Sequence, residues 1–131
     1  MQITRQADYA VRAVLYLARL GEQRAATSAV AKDQNIPPSF LAKIISQLSI
    51  AGLVHTSRGA RGGVTLARTP REISLLEVVE AIDGPILLNE CVEDGGSCSF
   101  EKTCPLQPIW CEAQNDLVNR LKSTSFAGLL S

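Results

Sequence analysis

The sequence predicts a mainly α-helical fold, in which a winged helix-turn-helix with a small β-hairpin wing is followed by a long C-terminal helix. Apolar residues recur at three- and four-residue intervals in several stretches, which is the periodicity of amphipathic helices. After the third helical stretch, the β-prone runs "LVHTS" and "VTLA" flank the glycine-rich segment "RGARGG". This arrangement predicts a hairpin. Two helices, a tight turn and a hairpin in this order are typical of a winged helix-turn-helix.

Capping residues, glycine and proline predict where the N-terminal helices begin and end. The first helix is expected to begin after Thr4, which caps it, and to stop at Gly21. The second is the short segment "SAVAKDQN", with Thr27 or Ser28 as its cap. The prolines of "IPPS" prevent its continuation, and Ser39 is expected to cap the third helix, "FLAKIISQLSIA". The expected buried residues of that third helix are Leu41, Ile44, Ile45 and Leu48.

Two further helices are expected in the C-terminal half. The segment "SLLE" from Ser74 predicts a capping box for a helix that ends at Gly84. The last helix begins at Pro105 or at Pro108, and its apolar stripe is long enough to pack against a partner chain. The tail "STSFAGLLS" is expected to add a short helix. The apolar stripe of the last helix consists of Leu106, Ile109, Trp110, Ala113, Leu117 and Leu121.

Charge divides the chain into two halves. The 131 residues have a formal net charge of zero. However, residues 1–71 hold ten Lys or Arg against three Asp or Glu, and residues 72–131 hold three against ten. This asymmetry indicates that the N-terminal half contacts a polyanion. The expected organisation is a winged helix-turn-helix domain over residues 1–83, a cysteine-rich loop over residues 84–104, and the last helix with its tail over residues 105–131.

The predicted polyanion is double-stranded DNA. A helix-turn-helix places its second helix in the major groove, while flanking groups and the wing hold phosphates or enter the minor groove. Residues 52–71 contain no acid, and the glycines of the wing allow the backbone to approach DNA closely. The predicted DNA-contacting residues are Ser28, Pro38, Ser39, Lys43, Gln47, Arg58, Gly59, Arg61 and Gly62.

The four cysteines lie within 21 residues, with the spacing C-x6-C-x5-C-x6-C. Structural zinc sites usually have two to four residues between paired cysteines, whereas longer loops suit an iron–sulfur cluster held by thiolates. The spacing therefore favours a cluster first, redox-active thiols second and zinc third. Cys104 precedes Pro105, so its sulfur is expected near a helix N-terminus, where thiolates are stabilised. Cys111 can share the site only if the last helix begins at Pro108, since an earlier start places it roughly 10 Å away.

Several classes of protein are excluded by the sequence. Charged residues interrupt the apolar N-terminus, which therefore predicts neither a signal peptide nor a membrane span. The expected location is the cytoplasm, where thiols stay reduced. The chain shows no Ser/His/acid set and no paired carboxylates, and "RGARGG" lacks the lysine of a phosphate-binding loop. We therefore do not predict an enzyme.

Four stretches of the chain carry a resemblance to a known family. They are "DYAVRAVLYLA", "FLAKIISQLSIAGLVHTSRGARGGVTLA", "ISLLEVVEAIDGP" and the cysteine segment that ends in "CPL". Together they resemble the winged-helix iron–sulfur transcription regulators that include IscR, NsrR and RirA. The resemblance implies a homodimer, joined by the helix after the cysteines, that binds a pseudo-palindromic DNA operator and senses iron, redox state or nitric oxide. Ala42 stands where some IscR-like members have Glu, which implies different sequence preferences.

The resemblance also implies the metal ligands. Cys91, Cys98 and Cys104 match the three cluster-binding cysteines, and a 4Fe-4S cluster is favoured over 2Fe-2S. IscR-like members use a His as fourth ligand, but this chain has Gln107 at that place. NsrR-like members use an acidic residue of the partner's first helix, which corresponds to Asp8, while Cys111 corresponds to the ligand of some 2Fe-2S relatives. The alternatives are a thiol-redox or zinc-dependent regulator on the same DNA module, and an iron–sulfur electron-transfer or cluster-assembly protein.

Overall fold

A computed structural model describes residues 2–59, 62–88 and 104–130. Within these ranges the chain is mainly α-helical, with one two-stranded antiparallel hairpin and one short 3-10 turn at Pro70–Glu72. The predicted fold class is therefore confirmed. In chain order the elements are α1 (Arg5–Leu20), α2 (Thr27–Asp33), α3 (Pro38–Ile50), β1 (Val54–Ser57), β2 (Gly63–Leu66), α4 (Leu75–Asp83) and α5 (Gln107–Lys122).

Helix α1 forms the centre of the molecule, and both of its predicted ends are confirmed. The hydroxyl of Thr4 accepts a hydrogen bond from the Ala7 amide at 3.1 Å, and Gly21 ends the helix with φ of 70°. The buried face of α1 consists mostly of alanine, which allows α3 and α4 to approach closely. Its buried residues are Ala7, Ala10, Ala13, Val14, Leu17 and Ala18.

Two of the predicted caps are wrong. Helix α2 begins at Thr27 with Ala26 as its cap, because the preceding residue, Ala25, is already fixed by pairing with the hairpin. Ser39 does not cap α3 but lies inside it, since Pro38 takes the first helical position. Proline suits that position because its fixed φ matches the helix and no intrahelical bond needs its missing N–H.

The turn between α2 and α3 is tight. Asn35 adopts a left-handed conformation with φ of 55°, which asparagine tolerates better than most residues. Ile36 then enters the core, and its amide donates to the carbonyl of Ala31 at 2.9 Å. The predicted buried face of α3, Leu41, Ile44, Ile45 and Leu48, is confirmed.

Backbone hydrogen bonds attach the hairpin to the segment between α1 and α2. Strands β1 and β2 pair from Val54 opposite Leu66 to Ser57 opposite Gly63. Beyond this pair, Ala25 and Val64 exchange two backbone hydrogen bonds, of 3.1 and 2.8 Å. The wing is therefore anchored directly to the loop that precedes α2.

A hydrogen bond between side chains also joins α1 to the end of α2. Tyr16 Oη donates to Asp33 Oδ2 at 2.8 Å. This hydrogen bond raises the pKa of the Tyr16 phenol, with smaller contributions from desolvation and from the charge of Asp33. The ordinary pKa of a tyrosine is already about 10, so the phenol is protonated at neutral pH and can donate this hydrogen bond there.

Helix α4 begins as predicted at its cap. The hydroxyl of Ser74 accepts from the Glu77 amide at 3.1 Å, and Gly84 ends the helix. The carboxylate of Glu77 pairs with the guanidinium of Arg68, which connects α4 to the segment after β2.

Helix α5 begins at Gln107, between the two predicted starts. The tail that follows is not the expected short helix. Ser125 instead pairs with Ser74 in an isolated bridge, and the amide of Phe126 donates to the Ile73 carbonyl at 3.1 Å. The side chain of Phe126 is fully buried in the main core, and the residues after it form hydrogen-bonded turns in place of a helix.

Candidate nucleic-acid interface and cysteine region

The outer face of α3 is exposed and contains no acidic residue. Ser39, Ala42, Lys43 and Ser46 are all exposed, and they share one face of the helix because they are spaced three or four residues apart. Pro38 is exposed at the start of the helix, and Gln47 is half-buried. Small and hydrogen-bonding side chains around one lysine suit a helix that enters the major groove.

The wing lies beside the start of α2. A groove between them is lined by hydroxyl side chains of both elements, including Thr27, Ser28, Thr56 and Ser57. Hydroxyl groups of this kind can donate to phosphate oxygens. The structure thus brings Ser28 close to the predicted wing residues, a proximity that their sequence separation did not reveal.

The tip of the wing depends on glycine. Gly59 has φ of 94°, and a Cβ added to Gly62 would lie 2.4 Å from the backbone oxygen of Ser57. Both positions therefore favour glycine for a steric reason as well as for access to DNA. Arg58 is exposed at this tip, while Arg61 lies outside the described residues.

Asp8 is exposed on the first turn of α1 and pairs with Arg12 at 3.2 Å between Oδ2 and Nη2. The same guanidinium donates to the carbonyl of Gln34 at 3.1 Å and lies 5.0 Å from the centre of the Tyr9 ring. Arg12 therefore joins the candidate ligand Asp8 to the turn of the helix-turn-helix. No sequence pattern indicates the contact with Gln34, because the acceptor is the backbone carbonyl of a residue distant in the chain.

Two of the four cysteines belong to the described part of the chain. Cys104 and Cys111 are half-buried free thiols on either side of the first turn of α5. Gln107 contacts both cysteines. Its backbone N–H donates to the Cys104 carbonyl at 3.4 Å, and its side-chain Nε2 donates to Cys111 Sγ at 3.1 Å. Gln107 is therefore a hydrogen-bond donor to one of the two described cysteines.

The donor chemistry of this region fits an iron–sulfur cluster. Thiolates are the soft ligands that such clusters require, and a helix N-terminus favours their negative charge. Among residues 2–59, 62–88 and 104–130, no group of three or more His, Cys, Asp or Glu side chains is placed to hold a metal ion. The candidate ligands Cys91 and Cys98 lie outside those ranges.

The predicted apolar stripe of α5 divides into two parts. Towards the C-terminus, Leu117 and Leu121 pack with Val118 against α1 and α4. Towards the N-terminus, the side of the helix next to the cysteines leaves large apolar residues exposed. These are Leu106, Ile109 and Trp110, with 54%, 55% and 38% of their surfaces accessible.

None of the described helices combines the length and the apolar character needed to cross a bilayer.

Known proteins resemble this chain over nearly all of its length. Residues 3–131 match the Rrf2 family model, "Iron-dependent Transcriptional regulator". The chain is 40% identical to the protein aau3 of Rhizobium meliloti, covering 88% of this chain and 75% of the relative. It is 31% identical to the transcriptional regulator NsrR of Halalkalibacterium halodurans, covering 100% and 91% of the two chains.

Two solved structures share the fold. CymR, the global cysteine regulator of B. subtilis, superposes with a TM-score of 0.83 at 26% identity, covering 98% of this chain and 95% of CymR. IscR of T. potens superposes with a TM-score of 0.77 at 27% identity, covering 99% and 86%. The matched family and the relative NsrR are transcriptional regulators and not enzymes, and that role implies DNA binding. The chain therefore belongs to the Rrf2 family of transcriptional regulators.

Proposed function

We propose that this protein is a dimeric, cytoplasmic transcription regulator whose affinity for DNA depends on the state of an iron–sulfur cluster. The observation that carries the proposal is the position of α5. The cysteine segment ends at the start of this helix. The other end of the helix packs against α1 and α4, which belong to the proposed DNA-binding unit, residues 1–83. A change at the cysteines can therefore reach the DNA-binding unit through one rigid element.

The dimer is proposed to form through the exposed apolar end of α5. Three large side chains there, Leu106, Ile109 and Trp110, remain accessible in the single chain. Burying them against a second copy removes apolar surface from water. A symmetric dimer would present two copies of α3 to a pseudo-palindromic operator, whose half-sites lie about 34 Å apart. Small changes in the direction of α5 would then change how well both copies fit.

Cys91, Cys98 and Cys104 are the proposed cluster ligands, and the fourth is either Asp8 of the partner subunit or Cys111. Asp8 is available because its carboxylate is exposed and, among the residues that the structure describes, pairs only with its near neighbour Arg12. Cys111 is the other candidate, because the start of α5 at Gln107 lies two residues after the earlier predicted start and leaves a helical rise of only about 6 Å between the start of the helix and Cys111. When bound, an iron–sulfur cluster supplies a centre that responds to oxidants, nitric oxide or iron supply. A 4Fe-4S centre is proposed in preference to 2Fe-2S.

A second candidate function is a thiol switch on the same DNA-binding unit. The similarity to CymR, a global cysteine regulator, favours this candidate, as do two free and half-buried thiols at the start of α5. Such a regulator would be colourless, and its DNA affinity would follow the formation of a disulfide. Iron content and visible absorption separate the two candidates.

The ligand set is tested by purifying variants without oxygen and measuring visible absorption and bound iron. We expect Cys91→Ala, Cys98→Ala and Cys104→Ala to lose both signals, because each removes one thiolate. Of Asp8→Ala and Cys111→Ala, only the variant that removes the fourth ligand should lose the cluster or hold it weakly.

Asp116→Ala is the matched control, since it removes an exposed acid from α5. A colourless wild-type protein that holds no iron after reconstitution would contradict the proposal and favour the thiol switch.

A further inference from the structure

The side chain of Gln114, in the middle of α5, binds the chain that leaves α4. Its Oε1 accepts a hydrogen bond from the Leu88 amide at 2.9 Å, and its Nε2 donates to the carbonyl of Ile86. Both partners are backbone groups more than 25 residues away in sequence. One amide side chain thus forms two hydrogen bonds to a single short segment.

The two bonds have the pattern that one residue of a β-strand forms with an adjacent parallel strand. They reach the carbonyl of residue 86 and the N–H of residue 88, while Leu87 between them is exposed. Only an amide side chain offers a fixed donor and an acceptor side by side. A carboxylate of the same size lacks the donor, so the interaction is specific for glutamine.

The segment held by Gln114 is also fixed by packing. Ile86 is buried with Leu76 and Val79 of α4, and α5 contributes Leu117 and Val118 to the same cluster. The hydrogen bonds therefore add a defined register to an apolar contact. Apolar packing alone is non-directional and would leave that register less strictly defined.

Gln114 shares one face of α5 with the residues around the cysteines. Gln107, Cys111, Gln114 and Val118 follow each other at intervals of four, three and four residues, which places them along one side of a helix. Cys111 lies one turn before Gln114, a rise of about 4.5 Å. In the sequence, Leu88 precedes Cys91 by three residues.

We propose that Gln114 is a positioning residue that fixes the start of the cysteine segment on the Cys111 face of α5. It is not a ligand. By holding the chain three residues before Cys91, it reduces the loss of conformational freedom needed to bring that cysteine to the others. This inference rests on the proposed function, since it assigns Gln114 a role in keeping the metal centre intact.

The hydrogen bonds themselves are tested in the metal-free full-length protein. In Gln114→Ala, exchange of the Leu88 amide hydrogen with solvent is expected to be at least about tenfold faster than in wild type, because its acceptor is gone. Asn115→Ala is the control, since it removes an exposed amide from the next position and should leave that rate within about twofold. Unchanged exchange in Gln114→Ala would overturn the inference.

The role at the cysteines is tested in protein reconstituted with iron and sulfide, by following the loss of visible absorption after a chelator is added. Gln114→Ala and Gln114→Glu are expected to lose absorption several-fold faster than wild type and Asn115→Ala, with melting midpoints close to wild type. Gln114→Glu keeps the volume and the acceptor, so it remains informative if the alanine variant folds poorly.

Equal rates of loss in a coloured wild type and both Gln114 variants would overturn this inference alone. A wild type that takes up no cluster would overturn the proposed function, and with it the role of Gln114 at the cysteines.

Discussion

Replacing Phe126 with alanine is expected to lower the free energy of unfolding by about 3–5 kcal/mol. The ring is fully buried in the main core, so truncation leaves a cavity and removes its apolar contacts. The tail around it bonds to the chain that leads into α4. The Leu75 amide donates to the Thr124 carbonyl at 2.8 Å, and the Ala127 amide donates to the Pro70 carbonyl at 3.2 Å. Loss of the ring should weaken this attachment and loosen the C-terminal end of α5.

Chemical denaturation of the wild type and the variant measures this change. Leu129→Ala is the matched control, because Leu129 lies in the same tail and is 42% exposed. It should change stability by about 1 kcal/mol or less. Equal destabilisation by the two substitutions would contradict the assignment of Phe126 as a core residue.

The double substitution Lys43→Ala with Arg58→Ala is expected to weaken DNA binding by about 100-fold at moderate salt. Lys43 is exposed on the outer face of α3, and Arg58 is exposed at the tip of the wing. If each contacts a phosphate, the slope of log affinity against log salt should fall by about two. Titration of a labelled operator at several salt concentrations measures both quantities.

Glu80→Lys provides the control for charge. It adds positive charge at an exposed site on α4, in the acidic half of the chain. Because that half is expected to lie away from DNA, the substitution should change affinity less than Arg58→Ala does. A larger effect of Glu80→Lys than of Arg58→Ala would place the DNA interface elsewhere on the molecule.

The features that the sequence predicted well are those determined by local chemistry. The buried face of α3 follows from apolar spacing, and the stop of α1 at Gly21 follows from a residue that tolerates positive φ. The hairpin is equally local, because glycines separate two short β-prone runs. These signals lie within a few neighbouring residues, so the sequence displays them directly.

The features that were missed depend on partners distant in the chain. Thr27 does not cap α2, because the pairing of Ala25 with Val64 fixes where the chain enters the helix. Phe126 is buried by tertiary packing, which no periodic pattern in the tail indicates. Gln114 and Arg12 donate to backbone carbonyls. Every residue has a carbonyl, so the sequence does not indicate which one is the acceptor. Tertiary contacts of this kind can be found only once the fold is known.

The central claim, that the state of the cluster controls DNA binding, is tested most directly by one titration. Anaerobic wild-type protein is divided into a reconstituted sample and a chelated sample, and the affinity of each for the same operator is measured at one salt concentration. We predict a difference of about tenfold or more, since coupling between two sites typically reaches this size. Equal affinities of the two samples, with iron content verified in each, would contradict the claim.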